Sequence, residues 1–198
     1  MALYWLAGYF SGSLPFGLWI TRLFKNTDIR DGGSGHVTTT NTVRQAGFFA
    51  GAIVLILDIA KGFIPVWFAI RAGYPAWSVA IVAALAVIGH CWPIFANFRG
   101  GMGLATTGGA MLASSIPAAL VVLALLLTLV LTIRHSARAA LFTGLIAPII
   151  LWLFQFRGIE LWVMVATGLV IAVRFTIDWN RKYRELWLDR EENTDQIV

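Results

Sequence analysis

The sequence has little charge and almost no cysteine. Asp, Glu, Lys and Arg make up 13% of its 198 residues, against about 25% in a typical soluble domain. That shortage excludes an ordinary soluble domain with a charged surface. Cys91 is the single cysteine, so an internal disulfide is excluded. The three histidines have no cysteine or carboxylate at ligand spacing, and we therefore expect neither a metal site nor a cofactor.

Long apolar runs dominate the chain instead, and 59% of its residues are hydrophobic. A helix of about 20 apolar residues crosses the hydrocarbon core of a bilayer. Six stretches are long enough to do so: 2–23, 46–72, 76–97, 116–133, 137–155 and 159–176. One helix over 103–133 would be about 46 Å long and would contain Pro117, so we predict a separate short helix at about 103–115. The sequence therefore predicts an all-α, polytopic integral membrane protein with seven transmembrane helices, one of them short, in a single domain over residues 1–198.

The basic residues indicate how the protein lies in the membrane. If the N-terminus is outside, twelve of the fifteen Lys and Arg residues fall inside, Arg71 and Arg157 fall outside, and Lys61 lies within a helix. Because cytoplasmic loops are enriched in Lys and Arg, we predict an N-out, C-in topology with Gly-rich cytoplasmic loops. The formal net charge of +5 then faces anionic lipid, and no nucleic acid partner is expected.

The C-terminal segment changes character. In "DWNRKYRELW", the residues Trp179, Tyr183, Leu186 and Trp187 share one helical face, while charged residues occupy the others. This pattern is typical of an amphipathic helix in the membrane interface. We predict a cytoplasmic tail from about residue 177 that anchors the chain and takes no part in chemistry.

Polar residues concentrate in two loops that this topology places on the cytoplasmic side. They are "DIRDGGSGHVTTTNTVR", residues 28–44, and "GHCWPIFANFRGGMGLATTGG", residues 89–109. Glycine lets backbone N–H groups approach an anion, and a helix N-terminus adds partial positive charge.

Gly-rich turns also pack membrane helices closely, and this is the alternative interpretation for the glycines alone. The side chains of Ser34, Asn41, Arg44 and Arg99 favour a ligand, because fixed cations near a bilayer are costly without a partner. The two loops together predict one phosphate-bearing site.

Two further polar positions have a simpler interpretation from the residues alone. Asp58 and Lys61 lie three residues apart on one helical face, where they can neutralise each other as a structural pair. His90 follows Gly89 at a predicted helix end, which favours a hydrogen-bonded packing residue over a base.

These loops, with "GSLPFG" and "DIAKG", stand in the order and at about the spacing found in a known family. From about Ala7 to Arg181 the chain resembles the bacterial membrane acyltransferases that make lysophosphatidate from glycerol 3-phosphate and acyl phosphate. The resemblance implies a seven-helix fold in the bacterial inner (cytoplasmic) membrane, with a cytoplasmic active site. It also implies acyl phosphate, glycerol 3-phosphate and membrane lipid as partners.

The resemblance also implies the site residues. An acyl phosphate is already activated, so the protein needs no covalent nucleophile; it must align the acceptor hydroxyl and neutralise phosphate charge. Carried over by position, the catalytic residues are Ser34, Asn41 and Arg44. The substrate- and phosphate-binding residues are Gly33, Gly35, His36, Thr40, His90, Arg99, Gly100, Gly101, Gly103, Arg138 and Asp178.

The chain departs from the family pattern at several polar positions. A phosphate-binding lysine is replaced by Met102, a terminal histidine by Phe175, and an expected serine motif falls on Ala137 and Ala140. Arg99, Arg138 or His36 can supply the missing polarity, since a guanidinium binds phosphate bidentately. The alternative is a non-catalytic or altered-ligand paralogue that binds a phospholipid or acyl phosphate.

Overall fold

The computed structural model describes residues 1–177 and 179, and within them all regular structure is helical. This confirms the predicted all-α membrane fold class. The α-helices are α1 (Ala2–Gly12), α2 (Phe16–Lys25), α3 (Thr39–Ala46), α4 (Phe48–Arg71), α5 (Ala76–Cys91), α6 (Leu104–Ser114), α7 (Ile116–Ile133), α8 (Ser136–Leu153) and α9 (Ile159–Ile177). Two single-turn 3-10 helices lie in the loops, at Ile29–Asp31 and Ile94–Ala96.

The first predicted span is wrong as a single helix, because the chain breaks between α1 and α2. Pro15 has no N–H to donate and disfavours a helical conformation at the residue before it. The break frees the Leu14 carbonyl, which accepts a hydrogen bond from Lys61 Nζ of α4 at 3.1 Å. The Ser11 hydroxyl donates in return to the Lys61 carbonyl at 2.9 Å. The break is therefore stabilised by α4.

The predicted division of 103–133 is present. Helix α6 ends at Ser114, and Ser115 is extended before α7 begins. The Ser115 hydroxyl accepts a hydrogen bond from Ala118 N at 3.3 Å, and Pro117 occupies the first turn of α7, where its missing N–H costs nothing. Within the described residues, five helices are long and apolar enough to cross a membrane: α4, α5 with its 3-10 extension, α7, α8 and α9. The count of seven and the orientation remain predictions.

Close helix packing accounts for several glycines. A Cβ at Gly12 of α1 would overlap the Ala86 backbone of α5, and one at Gly109 of α6 would overlap the Ile59 carbonyl of α4. These pairs pack backbone against backbone, as small residues allow in membranes. The most extensive contacts join α4 to α6, α8 to α9, and α5 to both α1 and α9. Helix α7 leaves much of its leucine-rich surface exposed.

The predicted amphipathic tail from about 177 lies almost entirely outside the described residues, and so does Asp178. The exception is Trp179, whose ring lies 5.3 Å from the Arg138 guanidinium at the start of α8.

Candidate active site

The first polar loop is organised around the Asn41 amide, which is fully buried. Asn41 Nδ2 donates to the carbonyls of Ile29, Gly32 and His36 at 3.0 to 3.2 Å. Asn41 Oδ1 accepts from Ser34 N at 3.3 Å. The Asn41 side chain thus supplies hydrogen bonds to loop backbone groups that have no partner in a helix or sheet. These bonds hold Ser34 and His36 in place.

An ion pair closes the base of this loop. Arg30 Nη2 lies 2.7 Å from Asp28 Oδ2, and Arg30 Nε donates to Asp28 Oδ1 at 2.9 Å. Hydrogen bonds from Arg30 hold the pKa of Asp28 well below its usual range, so the carboxylate stays ionised at physiological pH. Arg30 Nη1 also donates to the Ala96 carbonyl at 3.1 Å, which links the first loop to the second.

Backbone hydrogen bonds fix the second loop against the first. Val37 N donates to the Gly100 carbonyl at 3.2 Å, and Gly101 N donates to the His90 carbonyl at 3.0 Å. A Cβ at Gly101 would collide with the His90 ring and the Val37 carbonyl, so only glycine permits this approach.

Arg174 of α9 holds the other side of this loop. Its buried Nε donates to the Gly101 carbonyl at 3.0 Å. Its guanidinium carbon lies 5.7 Å from the centroid of the Trp92 ring. The last described helix therefore shares in fixing the geometry of the Gly-rich turn.

A cavity of about 630 Å³ opens where the two loops meet. Its polar end is lined by Ser34, His36, Thr38, Thr39, Thr40, Arg44, Asp58, His90 and Ser136. Its apolar end runs between α4, α6 and α7 and is lined by Leu55, Ile59, Leu112, Ala119, Leu120, Leu123 and Leu126. The cavity therefore suits a ligand with a polar head and a hydrocarbon chain.

Arg44 is the fixed cation of the polar end. Its Nη2 is buried, and no residue in the described part of the chain accepts a hydrogen bond from it. A buried guanidinium N–H without an acceptor is costly. An anionic ligand in the cavity would supply that acceptor.

The cavity brings together only part of the predicted site. Ser34, His36, Thr40, Arg44, His90 and Gly103 line it. Asn41, Gly33, Gly35, Gly100 and Gly101 are not among the lining residues; Asn41 organises the loop instead. Arg99 and Arg138 are exposed. Neither lines the cavity.

Sequence reasoning did not single out the apolar wall of the cavity or Thr38, Thr39 and Ser136 as site residues. The two threonines adjoin the predicted Thr40 and form part of the same hydroxyl-rich run. The apolar wall gives no signal in the sequence, because its leucines are indistinguishable from those that face lipid.

The departures from the family pattern lie together. Met102, Phe175, Ala137 and Ala140 belong to one buried apolar cluster, and Met102 and Phe175 also line the cavity. The polar end of the cavity therefore has one polar side, formed by the first loop and α3. Its other side is apolar, where the resemblance implies a lysine and a histidine.

Asp58, Lys61 and His90 form a buried polar group beside the cavity. Lys61 Nζ lies 2.8 Å from Asp58 Oδ1, and His90 Nδ1 lies 3.7 Å from the same oxygen. Lys61 also bonds the Leu14 carbonyl, so this group joins the α1–α2 break to the cavity wall.

Sequence comparison places the chain among known enzymes. The family model described as glycerol-3-phosphate acyltransferase matches residues 2–185. The glycerol-3-phosphate acyltransferase of Shewanella loihica is 35% identical over 190 residues, which cover 96% of this chain and 94% of the relative. That of Rubrobacter xylanophilus is 40% identical over 143 residues, covering 72% of this chain and 71% of the relative.

Solved structures agree with this placement. The crystal structure of PlsY (YgiH), an integral membrane glycerol 3-phosphate acyltransferase, in its glycerol 3-phosphate form matches with a TM-score of 0.80 at 32% identity. The match covers 91% of this chain and 90% of that chain. The lysophosphatidic acid form of the same protein gives a TM-score of 0.79 at 31% identity, with the same coverage.

Proposed function

The chain belongs to the glycerol-3-phosphate acyltransferase family, and on that premise we propose that it transfers an acyl chain to glycerol 3-phosphate, giving lysophosphatidate. The resemblance read from its motifs is thereby confirmed, and with it an enzyme embedded in the membrane. The observation that carries the proposal is the buried Arg44 Nη2, for which the described residues supply no acceptor, at the polar end of a cavity whose other end is apolar.

Acyl phosphate is the proposed donor. Its chain fits between α4, α6 and α7, where Leu120 is 58% exposed and Leu123 is 49% exposed. Because these side chains face the surrounding hydrocarbon, the apolar end of the cavity, which we call the groove, opens sideways into the bilayer. The donor then enters from the membrane, whereas glycerol 3-phosphate enters through the polar loops.

The proposed chemistry is a direct transfer. A glycerol hydroxyl oxygen attacks the acyl carbonyl carbon, and the bond from that carbon to the phosphate oxygen breaks. Inorganic phosphate leaves with the electron pair, and the hydroxyl proton passes to the leaving phosphate. Since phosphate is a good leaving group, the protein contributes alignment and charge stabilisation.

The lining residues divide these tasks. Arg44 binds a phosphate through two N–H groups, the geometry that guanidinium favours. The Ser34 and Thr40 hydroxyls donate hydrogen bonds to oxygens of the substrate. Asn41 is a positioning residue, because its own hydrogen bonds are all made within the loop.

The test uses the full-length protein in lipid nanodiscs with glycerol 3-phosphate and palmitoyl phosphate, and it measures lysophosphatidate and released phosphate. We expect equimolar products from palmitoyl phosphate and none from palmitoyl-CoA. Arg44→Ala should lose about 2–5 kcal/mol of glycerol 3-phosphate binding, the usual cost of removing a buried charged donor.

Arg157→Ala is the matched control, because Arg157 is exposed in the turn between α8 and α9 and does not line the cavity. Its guanidinium carbon lies 4.8 Å from the centroid of the Trp152 ring. It should leave both turnover and binding unchanged. Correctly folded protein that forms no lysophosphatidate but binds palmitoyl phosphate would replace the proposal with a non-catalytic, lipid-binding paralogue. Full affinity in Arg44→Ala would remove Arg44 from the site.

A further inference from the structure

Gly108 lies in the middle of α6 with open space beside it. A Cβ built at Gly108 meets no heavy atom within 4 Å, whereas one at Gly109 would overlap the backbone of α4. Glycine weakens a helix relative to alanine. Its backbone is helical here and no neighbour approaches it, so neither strain nor close packing requires glycine at this position. What glycine preserves is the space.

That space belongs to a second cavity of about 100 Å³, which we name the side chamber. It lies between α6, α7, α8 and α9, and its far wall includes Met111, Thr143 and Met164. It shares Leu104, Gly108, Ala119, Leu123 and Leu126 with the large cavity. The side chamber is therefore a lateral branch of the apolar groove, and Gly108 stands at the junction.

The side chamber suits hydrocarbon better than water. Among the described residues that line it, Thr107 and Thr143 carry a hydroxyl, and Thr143 already donates to the Ala139 carbonyl at 2.8 Å. The buried Thr107 hydroxyl has no hydrogen-bond partner within the described residues and would offer a water one side-chain partner. A buried water needs two to four polar partners. The remaining lining side chains are apolar, and an apolar chain that entered the chamber would bury surface against them.

Resting on the proposed function, we propose that the side chamber receives the bend of a cis-unsaturated acyl chain, which makes Gly108 a specificity-determining residue. Gly108 lies five residues beyond Gly103, or about 7.5 Å along α6. The chains of one leaflet span about 15 Å, half of the hydrocarbon core. The chamber thus opens near the middle of an acyl chain, where a cis double bond turns it aside. A straight chain passes the opening along the groove.

The experiment compares three donors of equal length: palmitoyl phosphate, palmitoleoyl phosphate and its trans isomer, palmitelaidoyl phosphate. Each is assayed for kcat/KM with saturating glycerol 3-phosphate in nanodiscs. Gly108→Val fills the junction from α6, where a side chain meets open space. Val122→Phe fills the chamber from α7, because Val122 lines the chamber and not the groove. Ala105→Val is the control, because Ala105 lines the groove alone.

Both filling variants should lower the cis-to-trans ratio of kcat/KM about tenfold, equivalent to roughly two buried methylenes. Val122→Phe, which leaves the lining of the groove untouched, should also change kcat/KM for the saturated chain by less than about twofold. Gly108 lines the groove as well, so for Gly108→Val the cis-to-trans ratio is the diagnostic quantity. Ala105→Val should affect the three donors alike. If Gly108→Val melts early, Val122→Phe decides the matter.

An unchanged cis-to-trans ratio in the filling variants, or an equal loss for all three donors, overturns the side-chamber proposal and leaves the acyltransferase intact. Failure of the wild type to transfer from any of the three overturns the proposed function and the chamber with it.

Discussion

Ser34 and Asn41 lie seven residues apart, Ser34 in the first loop and Asn41 in α3, and we propose different tasks for them. Ser34 lines the cavity, and its hydroxyl accepts a long hydrogen bond from His36 N at 3.4 Å. The Asn41 side chain makes four hydrogen bonds inside the segment 28–44 and is not among the described residues that line this cavity. In the proposed mechanism, the Ser34 side chain therefore faces the substrates, and the Asn41 side chain maintains the surface on which they bind.

Their alanine variants should therefore separate stability from turnover. Ser34→Ala should melt within a few degrees of wild type but lose roughly 100-fold in kcat, the scale of a misaligned reacting group. Asn41→Ala should lose about 2–4 kcal/mol of stability, since each lost hydrogen bond contributes about 1 kcal/mol. Thermal melting and initial rates in the same detergent measure both effects. An Asn41→Ala protein that melts like wild type but is inactive would return Asn41 to a catalytic role.

Met102 allows a test of how the phosphate site is built, because the resemblance to the family implies a lysine at this position. Met102 is 8% exposed and shares its apolar cluster with Phe175. A lone lysine there would be desolvated among apolar side chains, and the loss of hydration would offset its attraction to phosphate. We expect Met102→Lys to lower the melting temperature and to leave acyl-phosphate turnover no better than wild type.

The double variant Met102→Lys/Phe175→His restores both polar positions, and its turnover should exceed that of Met102→Lys. Met102→Leu is the control for volume alone and should stay within about threefold of wild type. A single Met102→Lys variant about tenfold faster than wild type would show that a phosphate already lies within reach and that the apolar cluster yields to it.

Among the helices, the break between α1 and α2 has the most consequences for the site. It places the Leu14 carbonyl beside Lys61 Nζ, and Lys61 in turn neutralises Asp58 at the cavity wall. Phe16 lies at the start of α2, and its ring centroid is 5.7 Å from the same ammonium. A proline in an apolar run thus fixes the position of a buried ion pair.

Substitution of each partner tests whether the Asp58–Lys61 pair is structural. Lys61→Met should destabilise the protein by about 3–5 kcal/mol, because it leaves the Asp58 carboxylate buried without its ammonium partner. Asp58→Asn/Lys61→Met removes both charges and should regain most of that stability together with turnover. A stable double variant without activity would indicate that Asp58 acts on the substrates, through the cavity that it lines.

Apolar length and helix-stop residues were enough to predict α4, α6, α7, α8 and α9 to within about three residues. The first span was wrongly predicted as one helix, because the apolar residues on both sides of Ser13–Pro15 suggested a continuous helix. That Ser34, His36, Thr40 and Arg44 lie together could be predicted, because they belong to one short polar segment, and all four line the cavity; their roles in binding and catalysis remain predictions. The groove could not, because Leu112 and Leu120 line it only once α6 and α7 are folded against each other.

The molecule as a whole presents a polar end suited to water and an apolar side suited to lipid. Its polar loops meet at one end, whereas the exposed leucines of α7 line a groove along its side. A reaction between a water-soluble phosphate ester and a membrane-bound acyl donor needs access from both directions. In the proposed mechanism, the exposed surface of α7 leaves a route for the acyl chain from the bilayer to the cavity.

Orientation in the membrane is the remaining prediction, and it depends on charge. With the N-terminus outside, twelve basic residues face the cytoplasm and two face outward. The inverted molecule would place the basic loops outside, against the enrichment of Lys and Arg in cytoplasmic loops.

Single cysteines in a Cys91→Ser background can report this orientation. A membrane-impermeant maleimide should label Ala72→Cys, in the exposed turn after α4, on intact cells. Asp31→Cys, in the exposed part of the first loop, and Asn193→Cys should react only after permeabilisation. Each variant must retain acyl transfer, so that labelling reports the active protein. Labelling of Asn193→Cys from outside would invert the topology and place the Ser34 and Arg44 site away from the cytoplasm.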